Sequence, residues 1–251
     1  MNKLQPLWNH KALSIDKTLI VADLHIGYER ELEDKGVNLP SQTNVIINEI
    51  NEILSKNKYE RLMINGDLKH NIPSGSWQEY KEIPELIDKL LEKVDEIHLV
   101  PGNHDGGIQK YLPNDVIIQD SSGHVFDDVG ILHGHANPSE EVLNSDIIVT
   151  AHSHPTISMF DNLGIREKIH CWVKIKIQYE DYKKDVILMP HFNHLMGGNS
   201  INENGYLGPL LNNSKIKDEE IYLLDGTFLG KLKDLKSTQT GIFDNLNSEI
   251  E

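Results

Sequence analysis

The chain has 251 residues, 38% hydrophobic and 25% charged, which is enough to bury a sizeable core in one large α/β domain or two small ones. Its formal net charge is −15, from 24 Lys+Arg against 39 Asp+Glu, which disfavours a broad basic track that grips duplex nucleic acid by counterion release without excluding a phosphate-bearing substrate. No apolar run is long enough to span a membrane, the first eight residues lack an apolar core of signal-peptide length, and Cys171 is the single cysteine; a cytoplasmic setting is expected.

In chain order, residues 12–15 and 18–22 read as a strand pair leading to Asp23. A polar helical stretch over 27–35 stops at Gly36, and Ser41 is placed to cap a helix on which Ile46, Ile50, Ile53 and Leu54 recur at helical spacing. A strand follows at 61–65, and then a loop over 69–77, with Pro73 and Gly75, that reads as irregular and exposed. A second amphipathic helix is expected from Pro84, carrying Leu86, Ile87, Leu90, Leu91 and Val94. Strands then dominate, at 96–100, 116–119, 123–126, 130–133, 146–151, 156–160, 169–178 and 186–189. A closing hairpin over 221–224 and 227–232 turns at Asp225-Gly226. Strand–helix alternation followed by a strand-rich half predicts packed sheets flanked by helices: one α/β domain over 1–232, then a polar, flexible tail over 233–251.

Five apolar runs end in the same way. Ile20-Val21-Ala22 runs into Asp23-Leu24-His25, Leu62-Met63-Ile64 into Asn65-Gly66-Asp67, and Leu99-Val100 into Pro101-Gly102-Asn103-His104-Asp105. Ile131-Leu132 runs into His133-Gly134-His135, and Ile148-Val149-Thr150 into Ala151-His152-Ser153-His154. Chemistry on α/β sheets gathers where strands end in loops. Asp23 with His25, and His152 with His154, are spaced i and i+2, which on an extended strand end puts each pair on one face. Asp67 supplies a carboxylate able to bridge two cations, Asn103 a carbonyl oxygen and His133 an imidazole. Oxygen and nitrogen ligands without thiolate suit Mn²⁺, Fe or Zn²⁺, and the set is unlike a Cys-rich structural zinc site. Such a convergence points to a two-metal phosphoesterase, in which cations about 3.5–4 Å apart activate a bridging water and clamp the phosphoryl oxygens.

In this order the motifs resemble those of the calcineurin-like metallophosphoesterase superfamily, over about residues 20–155. Ala22-Asp23-Leu24-His25-Ile26-Gly27, Gly66-Asp67-Leu68-Lys69-His70, Arg166 with Cys171, and Pro190-His191-Phe192-Asn193 before Gly197-Gly198 extend the likeness to about 200. With these residues the chain is most similar to the DNA-ligase-associated metallophosphoesterases. The resemblance implies a four-layer αββα sandwich with two divalent metal ions, manganese foremost, at the strand ends. One metal would take Asp23, His25, Asp67 and His154; the other would take Asp67, Asn103, His133 and His152. His104 would face the substrate phosphate as a catalytic group, with Asp105 orienting its imidazole. The implied substrate is a phosphodiester, in nucleotides or single-stranded DNA, with a link to DNA processing and DNA-repair proteins as partners. Two departures stand out: Lys69-His70 occupies ground where many relatives carry an acidic residue, and Ala151 stands where Gly is usual.

Other residues carry weaker signals. Lys69 and His70 are open to a phosphate-binding or a solvated-loop reading, His135 to a ligand-supporting or substrate-contacting one, and Asn193 to a substrate contact or an ordinary tight turn. Trp8, Trp77 and Trp172 are too scattered along the chain to suggest a base-stacking platform. Two rival functions follow: a small-nucleotide phosphatase or cyclic phosphodiesterase, for which an acidic surface is no obstacle, and a non-catalytic interaction scaffold. A scaffold typically lacks a ligand or the active histidine, and here every position is filled.

Overall fold

Alternating apolar side chains place one face of each early strand against helices and the other against a second sheet. The structure is a computed structural model that describes residues 4–160 and 164–235. The chain begins with β1 (Gln5–Leu7), β2 (Ala12–Ile15) and β3 (Thr18–Val21), followed by α1 (Tyr28–Asp34) and α2 (Thr43–Lys56). Next come β4 (Arg61–Asn65), α3 (Trp77–Leu91), β5 (Glu96–Val100) and β6 (Val116–Ile118). Among the described residues, β1 to β6 form one sheet in sequence order, antiparallel up to β3 and parallel from β3 to β6.

The second half holds β7 (His124–Phe126), β8 (Val129–Ile131), α4 (Glu140–Asn144), β9 (Ile147–Thr150), β10 (Pro155–Phe160) and the long β11 (Arg166–Tyr179). It continues through β12 (Tyr182–Leu188), β13 (Asn199–Ser200), α5 (Ile201–Asn204), α6 (Pro209–Asn212), β14 (Lys215–Leu223) and β15 (Phe228–Lys231). These strands make a second sheet ordered β13-β10-β11-β12-β9-β8-β7, with β14 on β11 and β15 on β14. Strand β9 runs parallel to both β12 and β8.

Three apolar clusters define the layers. Ile46, Ile50 and Ile53 of α2 and Ile83, Leu86 and Leu90 of α3 pack on Leu19, Val21, Leu62 and Leu99. Ile20, Met63 and Val100, which point the other way, meet Val149, Trp172 and Ile187 of the second sheet. On the outer face of that sheet, Val173, Ile175 and Val186 are covered by Val142 and Leu143 of α4 and by Leu210 and Leu211 of α6. Helices flank two face-packed sheets in a single α/β domain, the four-layer arrangement expected.

Several local expectations change. Helix α2 starts one residue later than expected, with Gln42 at its cap; Ser41 Oγ instead accepts from the Thr43 amide at 3.2 Å. Helix α3 begins at Trp77 and not at Pro84, because Ser76 and Glu79 form a reciprocal capping box that satisfies free amides. Pro84 sits inside the helix, where the apolar face running back to Ile83 offsets its missing backbone bond. The loop before α3 is not exposed throughout, since Lys69 and His70 are buried. Leu232 is buried and Leu235 packs against the outer cluster, so apolar packing continues three residues into the expected tail; 236–251 lie outside the described residues.

Candidate metal centre

The candidate ligands lie where five strands end: β3, β4 and β5 in one sheet, β8 and β9 in the other. Beyond these ends the backbones stay zipped together. Asp23 and His25 amides donate to the Gly66 and Asp67 carbonyls at 3.1 and 2.8 Å, and the Ala151 amide donates to the His133 carbonyl at 2.9 Å. Five ligand candidates adopt left-handed backbone angles: Asp23 (φ 57°), His25 (43°), Asp67 (49°), His152 (64°) and His154 (44°). Such angles are costly for residues with a Cβ and cluster at functional sites. They turn consecutive side chains into one space, a geometry that the i, i+2 spacing on an extended strand did not foresee.

Asp23, His25, Asp67 and His154 bring ligand atoms within 4.8 Å of one another, and so do Asp67, His133 and His152. Asp67 belongs to both groups. His154 Nε2 is 3.2 Å from Asp23 Oδ1, His133 Nε2 is 3.3 Å from Asp67 Oδ2, and His25 Nε2 is 3.6 Å from that oxygen. Asn103 is exposed and lines the same cavity of about 330 Å³, together with His104, Met196 and Leu207.

The electrostatics suit cations. Burial pushes the His25 imidazole down to about 3, and burial together with nearby His133 pushes His152 down to about 4, so both are neutral, as metal ligation requires. His133 goes the other way: burial opposes its charge, but Asp67 and Asp23 outweigh that and push it up to about 9. Despite their burial, both carboxylates are held below the usual range by imidazoles, Asp23 mainly by His154 and Asp67 mainly by His133. Both Asp23 oxygens and the Nε2 atoms of His25, His133 and His154 are buried without a hydrogen-bond partner. Unpaired buried polar atoms are costly, and here they converge. The donor set therefore fits two divalent cations.

Sequence reasoning did not anticipate the layer behind the ligands. His70 Nδ1 lies 3.2 Å from His25 Nδ1, and His70 Nε2 lies 2.6 Å from Glu31 Oε2. The arrangement sets both tautomers: His70 Nε2–H donates to Glu31, and His70 Nδ1 accepts from His25 Nδ1–H. His25 Nε2 is then left with its lone pair towards the centre. Glu79 is fully buried and accepts from the His70 and Asn71 amides at 2.8 Å each, fixing the loop after β4. The Glu79 capping box was legible in the sequence; nothing local pairs Glu31 with a histidine 39 residues away.

His104 is half-buried, its amide donates to Asp67 Oδ1 at 2.8 Å, and its Nδ1–H donates to the His70 carbonyl. That bond leaves Nε2 as the ring nitrogen not engaged by it. That carbonyl orients the ring, and Asp105 does not: its carboxylate accepts from the Gly102 amide at 2.8 Å and the Lys69 amide at 3.2 Å, bracing the turn. Burial and nearby Asp67 raise the Asp105 carboxyl to about 6.

Three expected substrate contacts sit differently. Lys69 is completely buried, its Nζ donates to the Asn71 carbonyl at 2.6 Å, and it does not line the cavity. Asn193 is buried and fully engaged: Nδ2 donates to the Leu24 carbonyl at 2.9 Å and Oδ1 accepts from the Leu195 amide at 2.9 Å, which ties the 190s loop to the Asp-x-His turn. His70 lines the cavity but is committed to His25 and Glu31. His135 is half-buried beside the second group, its ring 5.4 Å from that of His133.

Comparisons with known proteins bear on the fold and the family. The chain is similar in fold to a nuclease, MPE, from Pseudomonas putida, at 19% identity and a TM-score of 0.56, with 89% of this chain and 98% of that one covered. The E. coli phosphoesterase Yfce aligns over 85% of this chain and 97% of that one, at 15% identity and a TM-score of 0.39. Vps29 from Entamoeba histolytica, complexed with zinc, aligns over 86% and 98%, at 13% identity and a TM-score of 0.34. Comparison with curated protein sequences gave no match. The family model of the calcineurin-like phosphoesterases matches residues 17–217, which takes in every strand end described above, and the chain belongs to that family.

Proposed function

We propose that this protein is a phosphodiesterase that uses two divalent cations, manganese foremost, on nucleic-acid or nucleotide phosphodiesters. The single observation that carries this reading is the pair of ligand groups sharing Asp67 beside an open cavity rimmed by His104. Asp23, His25, Asp67 and His154 would hold one cation, and Asp67, Asn103, His133 and His152 the other. When bound, such a pair supplies Lewis acidity and a hydroxide-strength nucleophile at neutral pH.

The chain's own residues do the rest. The His70 carbonyl holds His104 with Nε2 towards the cavity, where a protonated ring donates to the departing oxygen as the P–O bond breaks. Asp105 fixes the turn that presents Asn103 and His104. No helix among the described residues is long and apolar enough to cross a membrane. Completeness of the ligand set supports an enzyme over an interaction scaffold.

The test is hydrolysis by metal-stripped protein after addition of Mn²⁺, Mg²⁺ or Zn²⁺. The substrates are an artificial aryl phosphodiester, 2′,3′-cyclic nucleotides and single-stranded DNA, and Asp67→Asn is the control. Metal-restored cleavage that Asp67→Asn abolishes supports the proposal. Cleavage of cyclic nucleotides alone favours the small-nucleotide alternative, and tight metal binding without any cleavage favours a scaffold.

A further inference from the structure

The segment that leaves the metal centre after His70 opens onto an aromatic surface. Ile72, Trp77 and Tyr80 are 57%, 79% and 49% exposed, three large apolar side chains within nine residues. Their position follows from topology. Strands β4 and β5 are parallel, so α3 returns antiparallel to them and its first turn lies at the end of the sheet where Asp67 and Asn103 sit. Ile72 is two residues from His70, which lines the cavity, so their Cα atoms are at most ~7.6 Å apart.

The surface is rigidly backed. Tyr80 packs on Tyr111 with ring centres 4.3 Å apart, and Tyr111 Oη accepts from the Gly75 amide at 2.7 Å. This joins the first turn of α3 to the loops that follow both β4 and β5. The cationic contribution is local. Lys81 Nζ lies 5.5 Å from the centre of the Trp77 ring, while the nearby carboxylates are engaged elsewhere. Glu85 pairs with Lys89 at 2.7 Å, Glu82 accepts from Ser41 and Thr43, and Glu79 is buried on backbone amides. Exposed aromatic side chains with an adjacent ammonium, at the same end of the sheet as the candidate metal ligands, match the stacking platform that holds unpaired bases. Although the three tryptophans are scattered along the chain, Trp77 and Tyr80 are three residues apart on α3 and so lie on one face of its first turn.

We propose that Trp77 and Tyr80, with Lys81, form a base-stacking shelf that seats single-stranded nucleic acid beside the metal centre. This rests on the phosphodiesterase reading for its catalytic meaning, but the shelf can be tested by binding alone. The ligand used is oligothymidylate, with intrinsic tryptophan fluorescence as the readout, on wild-type protein, Trp77→Phe, Trp77→Ala and Tyr80→Ala. Stacking quenches wild-type fluorescence; Trp77→Phe removes that quench while still binding, and each alanine variant weakens affinity by about 5- to 100-fold, the loss expected of one stacked base.

In parallel, hydrolysis of the aryl phosphodiester stays at the wild-type rate in the two Trp77 variants, because a single small diester needs only the cations and His104, while KM for the oligonucleotide rises. Hydrolysis of the aryl diester with no binding of oligothymidylate, or with binding equal in all variants, overturns the shelf and leaves the phosphodiesterase reading intact. Trp77-dependent binding without hydrolysis of either substrate supports the shelf and overturns the phosphodiesterase reading. Absence of both defeats both, and the exposed patch is then assigned to a protein partner.

Discussion

The line His25–His70–Glu31 gives the most specific prediction. His70 Nδ1 is 3.2 Å from His25 Nδ1, and His70 Nε2 is 2.6 Å from Glu31 Oε2. The two supporting side chains differ in exposure, 9% for His70 and 38% for Glu31. Replacing His70 by Ala leaves His25 Nδ1–H buried beside a void, free to flip its ring and misdirect Nε2. Partners of this kind typically contribute about 10- to 100-fold in metal affinity, or ~1.4–2.7 kcal/mol. The buried His70→Ala should fall near the upper end. Glu31→Ala should fall near the lower, because water replaces part of a half-exposed hydrogen bond, and Glu31→Gln, which keeps an acceptor oxygen, should recover most of that loss. The assay is calorimetric titration of Mn²⁺ into metal-stripped protein, with circular dichroism confirming that each variant is folded. Folded His70→Ala and Glu31→Ala proteins that bind two Mn²⁺ with wild-type affinity would refute the orienting role.

Four further outcomes are expected. His104→Ala should keep both metal sites but lose about 10²- to 10⁴-fold in turnover, and loss of a metal along with activity would reassign it as a ligand. Gly102→Ala places a methyl 2.1 Å from Asp67 Oδ1 and 2.4 Å from the Asp67 amide, so it should displace the shared carboxylate and abolish binding of at least one Mn²⁺. Gly106→Ala, with nothing within 4 Å, should behave as wild type in the same titration. Cys171 is completely buried and its burial raises the thiol well above its usual range, so an aromatic disulfide reagent should react with it only as fast as the protein unfolds. Rapid labelling of native protein would contradict the packing of β11.

Much of this molecule was legible in the chain because the signals are local. Continuous apolar runs in 18–21 and 61–65 specify strands with two buried faces, and abrupt endings in Asp, Asn or His mark the loops that carry chemistry. The apolar spacing of Ile46, Ile50 and Ile53 fixed the buried face of α2. The capping box at Ser76 was also present in the sequence, but Pro84 drew the start of α3 too far along the chain.

What only the tertiary structure decided depends on groups far apart in sequence. Lys69 and Asn193 carry side chains suited to phosphate or substrate, yet burial and backbone partners commit them to holding loops. Asp105 follows His104 directly but turns to the amides of Gly102 and Lys69, leaving the imidazole to a carbonyl from another loop. Glu31 reaches His70, and Tyr80 packs on Tyr111, only because two sheets and their helices bring those loops to one end. Residue type and spacing along a strand determine which chemistries this chain can supply. Which side chains face the centre and which support it is set in the packed interior: the supporting groups find hydrogen-bond partners from anywhere in the fold, while Asp23, His25, His133 and His154 keep buried atoms unpaired where they converge.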